Sequence, residues 1–320
     1  MKKYLRFIVR QVILSLISVS GIYNYYRRKN KDKVLIMVYH DVIDKTDIDC
    51  NHYNYNTTIS RIRFAKQLKY INRHYNPITL DDFIAWKYKD QPLPANPVLI
   101  TFDDGHTNLY KNAIPELNKY NIKGVFFIKS NSFGKIEQNY CEQYLSYSSS
   151  YQKGQKMYTN FRIAALSEQL NMIASQESKQ QYDTINEQKY KHLTIEECHS
   201  LLKSGHSIQS HTIHHYILSS LNDNESDFEI MESKKKLEEI FKYNISCLAY
   251  PFGDPNYDYG DREKKLAKKA GYLLAFSGER KKNNGVSKDE DNFSISRFGD
   301  VNHDFLYFKL LLSPIRLVKK

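Results

Sequence analysis

Residues 97–105 read PVLITFDDG, an apolar and β-branched run that ends in two adjacent carboxylates and a glycine. Such a run predicts a strand buried on both faces, as in a parallel sheet. Asp103, Asp104 and Gly105 then fall at the strand's C-terminal end, where parallel α/β folds and barrels assemble their sites. Working outward, the same grammar repeats. VLIMVY (34–39), GVFFI (124–128), IQS (208–210), CLAY (247–250), YLLAF (272–276) and FSISR (293–297) read as further strands. Helical patterns fall between them, at about 57–74, 80–88, 108–120, 194–203, 228–242 and 263–270. Thr194 followed by Glu197 is a capping signal for one of these helices. Strand–helix alternation predicts parallel strands with crossover helices; a closed (β/α) barrel and an open doubly wound sheet both fit.

With 320 residues, 41% of them apolar and 26% charged, the chain fills a sizeable core and is no disordered polyampholyte. No repeat at solenoid spacing, no G-x-G-x-x-G after a strand and no P-loop sequence is present, so repeat architectures and the common nucleotide sites are excluded. Cys50, Cys141, Cys198 and Cys247 are too scattered for a zinc finger or a redox CxxC. The formal charge of +11 is uneven. Residues 1–33 hold nine Lys/Arg against Asp32, and residues 309–320 hold four against none, which leaves the body close to neutral. A nucleic-acid binder carries its basic patch on the folded domain, so no nucleic-acid partner is expected. Basic ends suit an anionic membrane surface instead. The apolar stretch VILSLISV (12–19) after a basic start, followed by Ser20 and Gly21, reads as a signal peptide or an uncleaved anchor. An exported or membrane-associated chain of the cell envelope is therefore expected. Residues 305–318 alternate apolar and basic side chains, as a closing helix or a second membrane contact would. Residues 131–191, rich in Tyr, Ser and Gln with a helical segment near 161–173, read as an insertion.

Three segments at strand ends carry chemistry. The first is the Asp103–Asp104 pair, where one carboxylate can hold a metal while its neighbour takes a proton; the alternative is a simple helix N-cap. The second is HTIHH (211–215), three of the chain's eleven histidines in five residues. His211 and His215 are four apart, which on a helical turn sets both imidazoles on one side. With Asp104 they make two histidines and one carboxylate, a donor set for a hydrolytic metal. The third is YPFG (250–253), a Pro/Gly turn that can aim a backbone N–H at an oxyanion.

In this order TFDDG, HTIHH and YPFG resemble the polysaccharide deacetylase family (carbohydrate esterase 4, NodB homology), and VYHDV (38–42) is similar to the opening of its bacterial envelope members. The resemblance spans roughly 34–302 and implies an α/β fold, a distorted (β/α)7-type barrel. It divides the chain into a basic signal or anchor segment (1–33), the deacetylase domain (34–303) with its insertion at about 131–191, and a basic C-terminal helix (304–320). The implied activity is metal-dependent removal of N-acetyl groups from amino sugars of an envelope polysaccharide or a lipid-linked glycan. De-O-acetylation, deformylation and a non-catalytic glycan-binding barrel are the alternatives. The resemblance makes Asp103 the catalytic base. It makes Asp104, His211 and His215 the ligands of a divalent metal, zinc first, with cobalt, nickel or iron as alternatives. Tyr250, Pro251 and Phe252 would wall the substrate groove, and the Phe252 N–H would receive the oxyanion. Ala249 stands where many members have an arginine that orients the catalytic aspartate. Arg297 is the candidate to replace it, a surface salt bridge being the other reading. The family's late Leu-x-x-His motif has no match, since His303 sits in DVNHDF. His40, at the end of the first strand, is a further candidate site residue. The expected partner is a carbohydrate, bound by a monomer.

Overall fold

A computed structural model describes residues 20–44, 57–137, 139, 158–177, 190–278, 285–299 and 305–312. The apolar run at 12–19, Cys50, Cys141, His303, residues 313–320 and about half of the expected insertion lie outside the described residues. In chain order the strands are β1 (Leu35–Tyr39), β2 (Asp41–Ile43), β3 (Thr58–Ser60), β4 (Asn76–Pro77), β5 (Pro97–Phe102), β6 (Gly124–Ile128), β7 (Ser207–Ser210), β8 (Cys247–Ala249) and β9 (Leu274–Phe276). The helices are α1 (Ile22–Lys29), α2 (Arg61–His74), α3 (Leu80–Lys89), α4 (Ile114–Asn118), α5 (Leu166–Glu177), α6 (Ile195–Lys203), α7 (Asp223–Phe241), α8 (Asp261–Lys269) and α9 (Phe305–Leu311).

Strands β1, β5, β6, β7, β8 and β9 are neighbours in that order, all parallel, with β4 beside β5. The sheet curls back on itself. Ile295 bridges Phe276 of β9 and Phe298 bridges Met37 of β1, both in parallel sense, so a short segment joins the first strand to the last. Of the two architectures left open, the structure takes the barrel. Residues 293–297, expected as a strand, pair only through such isolated bridges, because this segment spans the gap between two strands instead of lying along one.

Every residue of β5 is buried, because alternate side chains serve two cores. Val98, Ile100 and Phe102 join Met37, Tyr39 and Phe126 under the outer helices, where Phe64 and Leu68 of α2, Leu201 of α6 and Leu237 of α7 cover them. Leu99 joins Ile36, Val125, Phe127, Ala249 and Phe276 on the other face, where Phe83 of α3 packs with them. Helix starts follow the sequence signals. Thr194 and Glu197 cap α6 reciprocally, as do Thr79 and Asp82 for α3 and Asn222 and Glu225 for α7. Cys198 and Cys247 are free and buried.

Near the ends of the chain, α1 buries Tyr23, and α9 buries Phe308 against Tyr70 of α2, with ring centroids 6.4 Å apart. Among the described residues, no helix is long and apolar enough to cross a membrane.

Candidate active site

The three motif segments meet at the C-terminal rim of the barrel. Strand β5 delivers Asp103, whose N–H donates to the Tyr39 carbonyl of β1 (2.9 Å). The chain then turns through left-handed backbone at Asp104 (φ 67) and Gly105 (φ 72). A Cβ on Gly105 would come within 2.8 Å of Ile128 Cγ2, so only glycine fits this turn.

Asp103 and Arg297 form a buried bidentate pair. Nη1 and Nη2 donate to the two carboxylate oxygens, each at 2.7 Å, while Nε donates to the Ser277 carbonyl at 2.9 Å. The guanidinium also lies 5.4 Å from the centre of the Phe127 ring. Burial pushes the Asp103 carboxyl up, but the Arg297 guanidinium outweighs it and holds it below the usual carboxylate range. The structure thus brings Arg297 from the barrel-closing segment to the aspartate, while Ala249 offers its carbonyl to His211 instead.

His211 and His215 converge on the second carboxylate. Their Nε2 atoms lie 3.7 and 3.3 Å from Asp104 Oδ1, and the two rings are 4.7 Å apart. One ligand atom from each of Asp104, His211 and His215 falls within 4.8 Å of the others, and all three residues are buried. The expected helical turn is not what sets this geometry. Residues 211–215 form a loop with left-handed backbone at Thr212 (φ 62) and His215 (φ 63). Phe252 (φ 60) and Asp104 share that conformation, so strained backbone gathers in the three motif turns.

Glu229 of α7 holds the histidine loop. Its Oε2 accepts the backbone N–H of Ile213 and of His214, both at 2.9 Å, and Oε1 meets His214 Nδ1 at 2.5 Å. Ser233, one helical turn on, donates to the Thr212 carbonyl at 3.0 Å. Glu229→Ala leaves two backbone donors and a histidine without their acceptor. It should cost about 2–4 kcal/mol in urea unfolding, with Glu229→Gln much milder. Equal stability of Glu229→Ala and the parent would show that the loop holds itself.

The donor chemistry fits a cation at Asp104. His211 Nδ1 lies 2.8 Å from the Ala249 carbonyl, a pure acceptor, so this nitrogen carries the proton and Nε2 presents a lone pair. Burial lowers the His211 pKa and favours the neutral ring; His215 is pushed down to about 3 for the same reason. Neutral imidazole lone pairs therefore face the Asp104 carboxylate, itself buried. Acceptors pointed at one another are unfavourable unless a cation lies between them.

Several residues of this site carried no motif. His106 Nε2 lies 3.9 Å from Asp104 Oδ2, and its ring stacks on His192 at 4.9 Å. His192 spans the Asp104 and Glu137 carbonyls at 3.1 and 3.2 Å. Lys129 is buried and donates to Asn139 Oδ1 at 2.8 Å, while Asn139 Nδ2 reaches Asp104 Oδ1 at 3.4 Å. Only Lys129 had a signal, its place directly after β6 at a strand's C-terminal end. His40 sits between β1 and β2, partly buried.

The YPFG turn divides its residues. Phe252 stands at the site, its ring 4.8 Å from that of His215, and the adjacent Pro251 is buried. Tyr250, expected at the groove wall, is instead a core residue. Its ring stacks on Tyr259 at 3.8 Å, its hydroxyl donates to the Phe293 carbonyl, and its N–H is used by Phe276. A strand-end side chain that faces the sheet's covered side cannot also face the rim. Gly253 crosses Gly278 so closely that a Cβ would lie 2.2 Å from the Gly278 nitrogen. Gly253→Ala should therefore destabilise by at least about 3 kcal/mol, seen as a fall in Tm. An unchanged Tm would mean that the turn has room to move.

Comparisons with known proteins agree on one family. A family model described as polysaccharide deacetylase matches residues 90–275. The poly-β-1,6-N-acetyl-D-glucosamine N-deacetylase of Staphylococcus aureus is 28% identical over 243 residues, 76% of this chain and 67% of its own. Among solved structures, the Streptococcus pyogenes deacetylase PplD in complex with acetate aligns with a TM-score of 0.61 at 19% identity, covering 89% of this chain and 99% of that one. IcaB from Ammonifex degensii aligns with a TM-score of 0.58, also at 19% identity, over 83% and 91% of the two chains. At such identities the two structures speak for the fold.

Proposed function

Because the chain belongs to the polysaccharide deacetylase family, whose model covers more than half of it, we propose that it hydrolyses N-acetyl groups of an envelope polysaccharide, with a β-1,6-linked N-acetylglucosamine polymer as first candidate. The observation that carries this reading is the adjacency of two differently held carboxylates: Asp103 clamped by Arg297, and Asp104 faced by His211 and His215. The S. aureus relative supports the choice of polymer. The basic ends of the chain support a place at the membrane surface of the envelope.

Asp104, His211 and His215 would hold a divalent metal, zinc before cobalt, nickel or iron given two nitrogen donors and one oxygen. When bound, such an ion polarises the amide carbonyl and makes water more acidic. The rest falls to the chain's own residues. Asp103, kept ionised by Arg297, accepts a proton from the attacking water at a carboxylate oxygen, and the water oxygen forms the new C–O bond. The guanidinium is held in turn by Ser277, so the base has one orientation. The Phe252 N–H, in the left-handed turn beside His215, donates to the oxyanion. As the C–N bond breaks, the amine nitrogen takes up a proton and acetate leaves. His40, directly after β1 at the C-terminal rim, is the side chain we assign to deliver it. Pro251 shapes the turn that presents Phe252.

The test is acetate release by the full chain, stripped of metal and reloaded with Zn²⁺ or Co²⁺, from β-1,6-linked N-acetylglucosamine oligomers. Release that depends on metal is expected. Release only from a lipid-linked amino sugar would move the substrate to that class. No release and no bound metal would overturn the reading.

A further inference from the structure

The described part of the insertion does not stand apart from the site. Phe161 and Ile173 bury against Ile217, two residues beyond the histidine loop, and Tyr158 and Phe252 pack at the edge of that cluster. Arg162, from the helical turn 158–163, forks onto the buried carboxylate of Asp258, with Nε at 2.5 Å and Nη2 on the second oxygen, and reaches Asp254 at 3.5 Å. Asp258 is itself locked to the loop that follows YPFG. Its Oδ2 accepts the Asp254 N–H at 2.8 Å, and its carbonyl accepts the Ser219 N–H at 3.0 Å.

This pin lines up a series of rings that starts at the site. Phe252 lies 4.8 Å from His215, Tyr158 lies 6.3 Å from Phe252, and the Arg162 guanidinium lies over both Tyr158 (5.3 Å) and Tyr257 (4.9 Å). Each step is comparable to the length of a pyranose ring. The outer end is open: Tyr257 is 52% and Ile163 70% exposed. A flat aromatic face beside fixed polar groups suits a sugar, whose C–H face stacks while its rim hydroxyls take hydrogen bonds. Asp254 offers a partly exposed carboxylate at this edge.

From these contacts we infer that Tyr158 and Tyr257, pinned by Arg162 and Asp258, form a stacking subsite for a sugar residue at least two units along the chain from the one that is deacetylated. This inference rests on the proposed deacetylase reading and deepens it: the enzyme would select an internal residue of a polymer over a short end. Occupancy is set by chain length, because a dimer cannot fill both the rim and the outer rings.

The test compares KM for acetate release from the β-1,6-linked N-acetylglucosamine pentamer and dimer, with the full metal-loaded chain. Tyr257→Ala should raise KM for the pentamer about fivefold more than KM for the dimer, and Tyr257→Phe should restore the parent ratio, since stacking needs the ring and not the hydroxyl. Tyr158→Ala should shift the ratio in the same direction. An equal change on both substrates, or no change on the pentamer, would overturn the subsite. If the parent chain releases no acetate from either, titration calorimetry with the pentamer separates the two ideas. Weaker binding by Tyr257→Ala then keeps the subsite and removes the deacetylase reading. Equal binding, or none, removes the subsite too.

Discussion

Asp103→Asn should lower kcat for acetate release by about a thousandfold while the protein still binds one equivalent of Zn²⁺ or Co²⁺. The side chain keeps its shape and one acceptor oxygen, so Arg297 keeps part of its contact. What disappears is the negative charge that accepts a proton. The effect on turnover is large because no other described carboxylate sits where Asp103 does: Asp104 faces His211 and His215. The substitution also leaves the buried Arg297 with a neutral partner. Breaking a buried pair costs roughly 3–5 kcal/mol, so Tm is measured alongside kcat to separate unfolding from lost chemistry. A folded Asp103→Asn protein that retains a tenth of the parent kcat would remove Asp103 from the role of base.

His215→Ala should abolish both metal binding and metal-dependent acetate release. Its Nε2 is 3.3 Å from Asp104 Oδ1, nearer than that of His211, and nothing else among the described histidines replaces it: His106 faces the other carboxylate oxygen and His214 is taken by Glu229. The readout does not need turnover. At a metal concentration a hundred times Kd, the parent fold gains about 2.7 kcal/mol, and this gain should vanish in His215→Ala. Co²⁺ absorption offers an independent view of the same loss. If the variant keeps the metal-induced rise in Tm, the three-residue centre is wrong, and His106 becomes the residue to examine.

The legible parts of this protein share a cause. Buried parallel strands are nearly all apolar, so PVLITF, VLIMVY and GVFFI announce themselves and come within a residue of the observed β5, β1 and β6. Helix α6 was legible from Thr194 and Glu197, since capping is a local hydrogen-bond problem. Asp103, Asp104, His211 and His215 were legible because strand ends gather in space at one rim of such a fold. Tyr250 was misleading for a local reason: a strand-end position does not tell which face its side chain takes, and here it turns into the core. The helical turn expected for HTIHH failed because Glu229 and Ser233 of α7, together with left-handed backbone, bend the loop instead.

Composition, periodicity and motif order by themselves determined the α/β class, the parallel strands, the near-neutral body between basic ends and the Asp104, His211 and His215 donor set. Those properties depend on neighbours in sequence or on which side of a strand faces water. Tertiary structure alone decided that the sheet closes through Ile295 and Phe298, that Arg297 reaches Asp103 across 194 positions of chain, and that Arg162 ties the insertion to Asp258. These pairings join residues far apart in the chain, and their energy comes from shared burial, which no local pattern encodes.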